Sequence, residues 1–264
     1  MKLISSTLTL VGIVSMTACS SDEPGNGSEQ PNPRHSIQLN AEQREIAKEN
    51  LGFSFKVWDK MTDATPKGNQ FFSPLGMHMT LSMLANGADE EARQELTTFL
   101  GAKDIQSLNG FNKLMLTELP KVDNTVKFSL ANSAWFDNAI TPGQQFVDVC
   151  RSVFTASVFS YDKGSSKAMQ DVNKWCSDNT GGMIPAFLSE PPSGNFLLLN
   201  AAYFNGKWKN PFDAALTAKE EFTCESGKKA TVDMMHLSGV KVNWCKTPKY
   251  TSFWLEYGNG GYSM

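Results

Sequence analysis

Phe196-Leu197-Leu198-Leu199-Asn200-Ala201-Ala202-Tyr203-Phe204-Asn205-Gly206-Lys207-Trp208 is the stretch from which the rest can be read. From Phe196 to Phe204 it carries no charge and only one strongly polar side chain, the amide of Asn200. The run is too short to cross a bilayer as a helix. Its lack of alternation predicts a central strand covered on both faces rather than a half-exposed one. In such a strand the Asn200 amide needs partners, or its burial costs a few kcal/mol.

The covering layers are sought on either side. Upstream, Phe53, Val57 and Met61 repeat at helical spacing, with Phe55 and Trp58 widening the stripe. Ser73-Pro74 reads as an N-cap followed by an N1 proline, opening a helix through Leu75, Met79 and Met83 to Asn86-Gly87. Ala92, Leu96 and Phe99 mark a short helix stopped by Gly101; Ile105, Leu108, Phe111 and Met115 mark another, capped by Asp104. The period then changes. Val126, Phe128 and Leu130 alternate with Lys127 and Ser129, predicting a half-buried strand that runs into Ala134-Trp135-Phe136. Helical spacing returns at Phe146, Val149, Val153 and Phe154, and at Val172, Trp175 and Cys176 before Gly181-Gly182. From Glu221 to Tyr257 short strands are separated by turns at Ser226-Gly227, Ser238-Gly239 and Thr247-Pro248. Helices first and sheet segments later, without β-α alternation, give an α+β fold.

The whole chain has 264 residues, 24 Lys+Arg against 27 Asp+Glu, and a net charge of −3. That balance makes no field for a polyanion, so no nucleic-acid partner is expected. His35, His78 and His236 never fall at metal-ligand spacing, and neither a metal nor a cofactor is expected. Lys2 followed by the uncharged run Leu3 to Ala18 reads as a secretory signal over residues 1–18. Met16-Thr17-Ala18-Cys19 resembles a lipobox, which makes Cys19 the expected lipidation site, and Ser20-Ser21-Asp22-Glu23 is similar to the surface-export signal of some Bacteroidetes lipoproteins. Residues 19–36, rich in Ser, Gly, Pro, Asn and Glu, read as a flexible tether. The fold then occupies 37–264, with no internal linker. In an exported chain Cys150, Cys176, Cys224 and Cys245 could pair in three ways. Their apolar, strand-like neighbourhoods favour buried free thiols.

Catalytic patterns are present only in fragments. Ser160/Lys163 and Ser238/Lys241 match Ser-x-x-Lys, and Ser177-Asp178-Asn179 supplies a Ser-Asp-Asn string, as an acyl-enzyme would need. Their spacing is wrong, however, and the would-be Lys-Thr-Gly strand reads Lys246-Thr247-Pro248, whose proline lacks the required N–H. No Gly-x-Ser-x-Gly elbow exists, no local partner marks His78 or His236 as a triad base, and no glycine-rich phosphate loop lies between a strand and a helix. His78, inside an apolar helix, reads as a core residue. No catalytic residues are assigned; the chain does not read as an enzyme.

Several segments together resemble the serpin family. Asn69-Gln70-Phe71-Phe72-Ser73-Pro74 is similar to that family's Asn-x-x-Phe-Ser-Pro, and Ala131-Asn132-Ser133-Ala134-Trp135-Phe136 to its Ala-Asn strand. Val172-Asn173-Lys174-Trp175 with Thr180-Gly181-Gly182-Met183-Ile184 is similar to Ile-Asn-x-Trp-Val…Thr-x-Gly-x-Ile. Most specific is Leu198 to Trp208, with Pro211-Phe212 beyond, against Leu-Val-Asn-Ala-x-Tyr-Phe-x-Gly-x-Trp. Val232-Asp233-Met234-Met235 resembles Val-Pro-Met-Met, with Asp233 for the proline. In order and spacing these cover residues 40 to 264.

The resemblance implies N-terminal helices packed on a large mixed sheet with smaller sheets beside it. It implies a serine protease inhibitor that traps its target as a suicide substrate when its cleaved reactive loop inserts into that sheet. The partner would be a serine or cysteine protease, the complete protein a monomer, and membrane contact would come only through the N-terminal lipid. The alternative within the resemblance is a non-inhibitory binding or structural surface protein. Ser73 and Asn200 match the family's shutter, beneath the place where the sheet parts, and Trp208 matches its breach. Gly76 stands where the family often has a second shutter serine, so that network is expected to be altered. The chain ends at Tyr257 to Met264, similar to a family strand after which about a third of the domain normally follows. The reactive site is therefore expected to be absent, the fold incomplete at its C-terminus, and the strand at 196–204 left with an unpaired edge.

Overall fold

The computed structural model describes residues 10–17, 30–64, 70–224 and 226–264. Cys19, most of the expected tether, and Asn69 lie outside them. In chain order the elements are β1 (Leu10–Thr17), α1 (Ala41–Ala64), α2 (Pro74–Gly87), α3 (Glu90–Phe99), α4 (Ile105–Glu118), β2 (Lys127–Asp137), α5 (Gln144–Ser152), β3 (Ser157–Tyr161), α6 (Ser166–Asn179), β4 (Phe196–Asn205), β5 (Ala218–Thr223), β6 (Lys229–Met234), β7 (Asn243–Lys246), β8 (Thr251–Trp254), β9 (Glu256–Tyr257) and β10 (Tyr262–Ser263). They form two compact units. One holds β1, residues 37–120 and 127–205; the other holds the described part of 20–36, residues 121–126 and 206–264. The second unit is gathered from three separate stretches, so no linker in the sequence could have announced it.

The helix starts follow from their caps. Ser73, Asp89, Asp104 and Ser165 each accept a backbone N–H of the first turn, and Pro74 occupies N1 of α2. Glu90 and Glu91 lie in the first turn of α3, where they complement the helix dipole. One expectation is narrowed: Phe53 is buried edge-on against Phe99 at 5.7 Å, but Phe55 and Trp58 remain exposed. The apolar stripe of α1 is thus buried along one margin only.

The first unit is built around a sheet of order β1-β4-β2-β3. β4 runs antiparallel to β2 from Phe196↔Phe136 to Asn205↔Lys127, and β2 runs parallel to β3. Both faces of β4 are covered, as its sequence requires. Leu197, Leu199 and Ala201 pack with Ala168, Val172, Trp175 and Cys176 of α6. Leu198, on the opposite face, packs with Met83 of α2 and with Cys150 and Phe154. A further layer joins Ile46, Met79, Leu100, Leu108, Phe111 and Met115 across α1, α2 and α4.

The edge of β4 expected to be unpaired is occupied. β1 lies parallel to it in register from Leu10↔Leu198 to Thr17↔Asn205. An uncharged extended run can satisfy the row of N–H and C=O groups that such an edge presents. The backbone of residues 10–17, inside the stretch read as a secretory signal, thus joins the sheet.

In the second unit the strands pair as three two-stranded ladders: β5 with β6, β7 with β8, and β9 with β10. Asp233, which replaces the family's proline, pairs with Lys219 directly across β5–β6 at 2.8 Å. Asn32, inside the stretch read as tether, exchanges two bonds with Asn124. Its N–H donates to Asn124 Oδ1 at 2.9 Å, and the N–H of Asn124 donates back to Asn32 Oδ1 at 2.8 Å.

All four cysteines from 150 onward are free, but only two are buried. Cys150 and Cys176 sit in the two cores flanking the sheet, whereas Cys224 is half-buried and Cys245 exposed. Burial pushes the Cys150 and Cys176 thiols up to about 12, which suppresses the reactive thiolate. A thiol reagent at neutral pH should modify Cys245 and then Cys224, leaving Cys150 and Cys176 intact until the protein unfolds. Mass spectrometry of each cysteine peptide checks this, and labelling of Cys150 or Cys176 in the native protein would contradict it.

Candidate functional site

Under the middle of β4 lies a cluster of buried amides. Asn200 and Asn132 stand opposite each other across the β4–β2 ladder, and Asn200 Nδ2 donates to Asn132 Oδ1 at 2.8 Å. Asn132 Nδ2 in turn donates to the Phe154 carbonyl at 2.9 Å. Asn200 Nδ2 also lies 3.9 Å from the Met79 sulfur of α2. The chain of bonds ends there. Among the described residues, Asn200 Oδ1 is buried with no hydrogen-bond partner.

Ser73 is not the partner of Asn200. Its Oγ accepts the N–H of Gly76 at 3.0 Å, serving as the cap of α2. The two residues meet only around Gly76. A Cβ there would lie 2.4 Å from Asn200 Oδ1 and 3.3 Å from the Ser73 Cβ. Gly76 therefore lets the strand amide approach the first turn of the helix, and contributes no hydroxyl to it.

Asn132 was not singled out as a site residue from sequence. Its signal was available: it continues the phase of Val126, Phe128 and Leu130, placing an amide on the apolar face of β2. The Phe154 carbonyl that receives Asn132 precedes Thr155, whose φ of 48° is the only positive value outside glycine among the described residues. A β-branched residue there is strained by about 1–2 kcal/mol.

Two other motif residues hold a loop rather than a site. Asn173 Oδ1 accepts the N–H groups of Phe187 and Leu188 at 2.8 and 2.6 Å, and its Nδ2 donates to Leu188 O at 2.9 Å. Thr180 Oγ1 donates to Cys176 O at 2.7 Å and accepts the Ile184 N–H at 3.1 Å.

Trp208 belongs to the second unit. Its ring stacks on Tyr257 at 4.2 Å and 14°, with Phe212 edge-on at 6.3 Å. Backbone bonds from Lys209 N to Glu256 O and from Gly258 N to Lys207 O hold the two segments side by side, and Lys209 pairs with Glu256 at 2.6 Å. Gly258 has φ +44°, and a Cβ there would meet Asp123 Oδ2 at 2.1 Å. That carboxylate accepts Asn259 N through Oδ2, and through Oδ1 the N–H and hydroxyl of Thr125.

The acyl-enzyme fragments are not assembled. Lys163 Nζ donates to Asn195 Oδ1 at 2.9 Å, while Ser160 lies in β3 and Ser177 in α6. His236 does have a carboxylate partner, though not a local one. Its Nε2 lies 2.7 Å from Glu220 Oε1, from a position 16 residues away. That pair is exposed, and no serine hydroxyl is bonded to it among the described residues.

Truncating Asn132 to alanine takes the oxygen partner from the Asn200 amide, while the Phe154 carbonyl keeps the Thr155 hydroxyl at 2.7 Å, and should cost about 1–3 kcal/mol for the one unsatisfied group. Gly76→Ala should cost a similar amount by forcing Asn200 aside. Because the Gly76→Ala cost arises from Asn200 Oδ1, it should largely vanish in an Asn200→Ala background. Urea unfolding of the four members of that cycle measures the coupling; strict additivity would refute the contact.

Residues 48–264 match the family described as Serpin (serine protease inhibitor). Serpin A12 of Mus musculus is 28% identical over 201 residues, covering 75% of this chain and 49% of its own length. Thyroxine-binding globulin of Ovis aries is 28% identical over 212 residues, covering 76% of this chain and 50% of its own. This chain thus spans about half the length of these relatives. In three dimensions it is similar to cleaved kallistatin complexed with heparin, with a TM-score of 0.77 at 20% identity over 84% of this chain and 67% of that one. With a family model matched over residues 48–264, this chain belongs to the serpins.

Proposed function

We propose that the whole protein inhibits a serine protease, or a cysteine protease, as a suicide substrate. A reactive loop is cut, enters the central sheet as an added strand and carries the acylated protease with it. Distortion of the protease then stops deacylation, so the inhibitor needs no catalytic group of its own. The single observation carrying this reading is the edge of β4. A segment far away in sequence, β1, adds to it in continuous register while the β4–β2 ladder stays complete. A sheet that gains main-chain hydrogen bonds from an added strand, without losing those it has, is what insertion requires.

In this reading Ser73 and Asn200 act as the shutter, with Asn132 and Gly76 joined to them, and Trp208 on Tyr257 acts as the breach. The unpartnered Asn200 Oδ1 supports an altered shutter, as expected where glycine replaces the second serine. A second reading, a non-inhibitory carrier or structural protein, is favoured by the likeness to thyroxine-binding globulin. Mixing the full-length protein with an elastase-like or trypsin-like protease separates the two. An SDS-stable complex, larger than the protease by nearly the mass of the inhibitor, is expected; cleavage without a complex would leave only the second reading.

We also propose a place for it. Lipidation of Cys19 after removal of residues 1–18, which would take β1 away and leave the edge of β4 open to another strand, would hold the protein in an outer membrane, at the cell surface, on the tether from 19. Cys19→Ala should move the protein from the membrane fraction to the soluble one. Membrane retention by that variant would argue against the anchor.

A further inference from the structure

His78 sits on α2 between Gly76 and Met79, the two residues of that helix that meet the Asn200 amide. Its side chain is wholly inaccessible to solvent. Nδ1 lies 3.3 Å from Asn112 Oδ1 of α4, Nε2 lies 3.3 Å from the Leu100 carbonyl, and the ring meets Phe111 edge-on at 5.8 Å.

Both neighbours of the ring nitrogens are acceptors, and neither can be turned. Leu100 offers a backbone oxygen. The Asn112 amide is oriented by its other end, where Nδ2 donates to Leu108 O and to Ser82 Oγ, both at 2.9 Å. Ser82 has already committed its proton to His78 O at 2.7 Å. A neutral imidazole has one N–H and can satisfy only one of the two oxygens. The imidazolium could satisfy both, but it would be a charge without a counter-ion in a dry core.

Among the described residues no charged group is bonded to the ring, although Glu49 of α1 packs its Cβ and Cγ beside Gly101, the neighbour of Leu100. On α1 and the turn before α4, Glu42 and Lys103 pair with each other at 3.0 Å, and Asp104 is spent on the N–H and hydroxyl of Ser107. The groups that act on the ring are burial itself, Leu100 and Asn112. Burial is the largest and holds the proton affinity below the ordinary 6.5, so the packed helix keeps His78 neutral. A loosened helix, with the ring in water, takes the proton at its ordinary value. Packing is therefore fully favoured above about pH 6.5 and is progressively lost as pH falls below it.

We propose that His78 is an acid-operated release, which on protonation loosens α2 from the underside of β4 and frees the Asn132–Asn200 pair. It rests on the fold of the first unit alone, and not on the protease-trapping reading. Ordinary acid unfolding would affect the whole unit; this device acts first on α2 and its strand, leaving α6 on the other face protected.

Amide hydrogen exchange of the full chain between pH 7.5 and 5, corrected for the intrinsic pH dependence, tests it without any protease. Protection of α2 and β4 should fall by about tenfold for each pH unit below 6.5, until the packed histidine itself titrates. Protection of α6 should hold. His78→Leu, which cannot take the proton, should abolish the selective loss. If that variant does not fold, proton NMR of the wild-type protein serves instead, because only three histidines are present. The His78 ring signal should then change together with loss of α2 protection. An unchanged α2 down to pH 5, an equal loss in His78→Leu, or a His78 ring that titrates while α2 stays protected would each overturn the proposal.

Discussion

The burial of β4 on both faces is the constraint from which the first unit follows. A strand presenting Leu197, Leu199 and Ala201 to one side and Leu198 to the other cannot be stable as a surface element. It forces α6 onto one face and α2, with the α5 region, onto the other. Full burial of each leucine contributes about 1.5–3 kcal/mol, whereas one unsatisfied amide oxygen costs about 1–3 kcal/mol. The apolar positions outweigh the orphaned Asn200 Oδ1, so the strand tolerates a polar fault at its centre. The fault is confined, because Asn132 takes the other end of the amide.

α2 concentrates several tasks in two turns. Ser73 caps it, Gly76 admits Asn200, His78 reaches the α4 layer, and Met79 packs in that layer while touching Asn200. Residues three apart on a helix share a face, as Gly76 and Met79 do against Asn200, whereas His78, two from Gly76, turns to Asn112 and Leu100. This one helix thus ties the helical layer to the sheet, and a change at any of these positions is felt on both sides.

The second unit shows a different economy. Its three ladders are short, and β5 is exposed along its whole length. What fixes it locally is the aromatic stack of Trp208 on Tyr257 beside the Lys209–Glu256 pair, and the polar turn at Asp123 with Asn259. Asn259 Nδ2 also donates to Asn32 O, so the end of the expected tether is held by the same turn.

Much of this was legible in the residues. Ser73-Pro74 and Asp104 marked helix starts because caps act within three residues, and the period of two in Val126 to Leu130 marked β2 because alternation is a property of the chain itself. The two-faced burial of β4 could be read for the same reason. Other features needed atoms brought together from afar. Nothing local tells that Asn200 would choose Asn132 over Ser73, that His236 would find Glu220, that Cys224 and Cys245 would stay near the surface, or that β1 would line the edge of β4. Hydrogen-bond partners and burial depend on which distant segments share a few ångströms. The sequence by itself determined the helices, the strands β2 and β4, the caps at Ser73 and Asp104, and the family; the tertiary structure decided which buried amide was left without a partner, because that depends on whether a neighbouring helix brings a hydroxyl or a glycine against it.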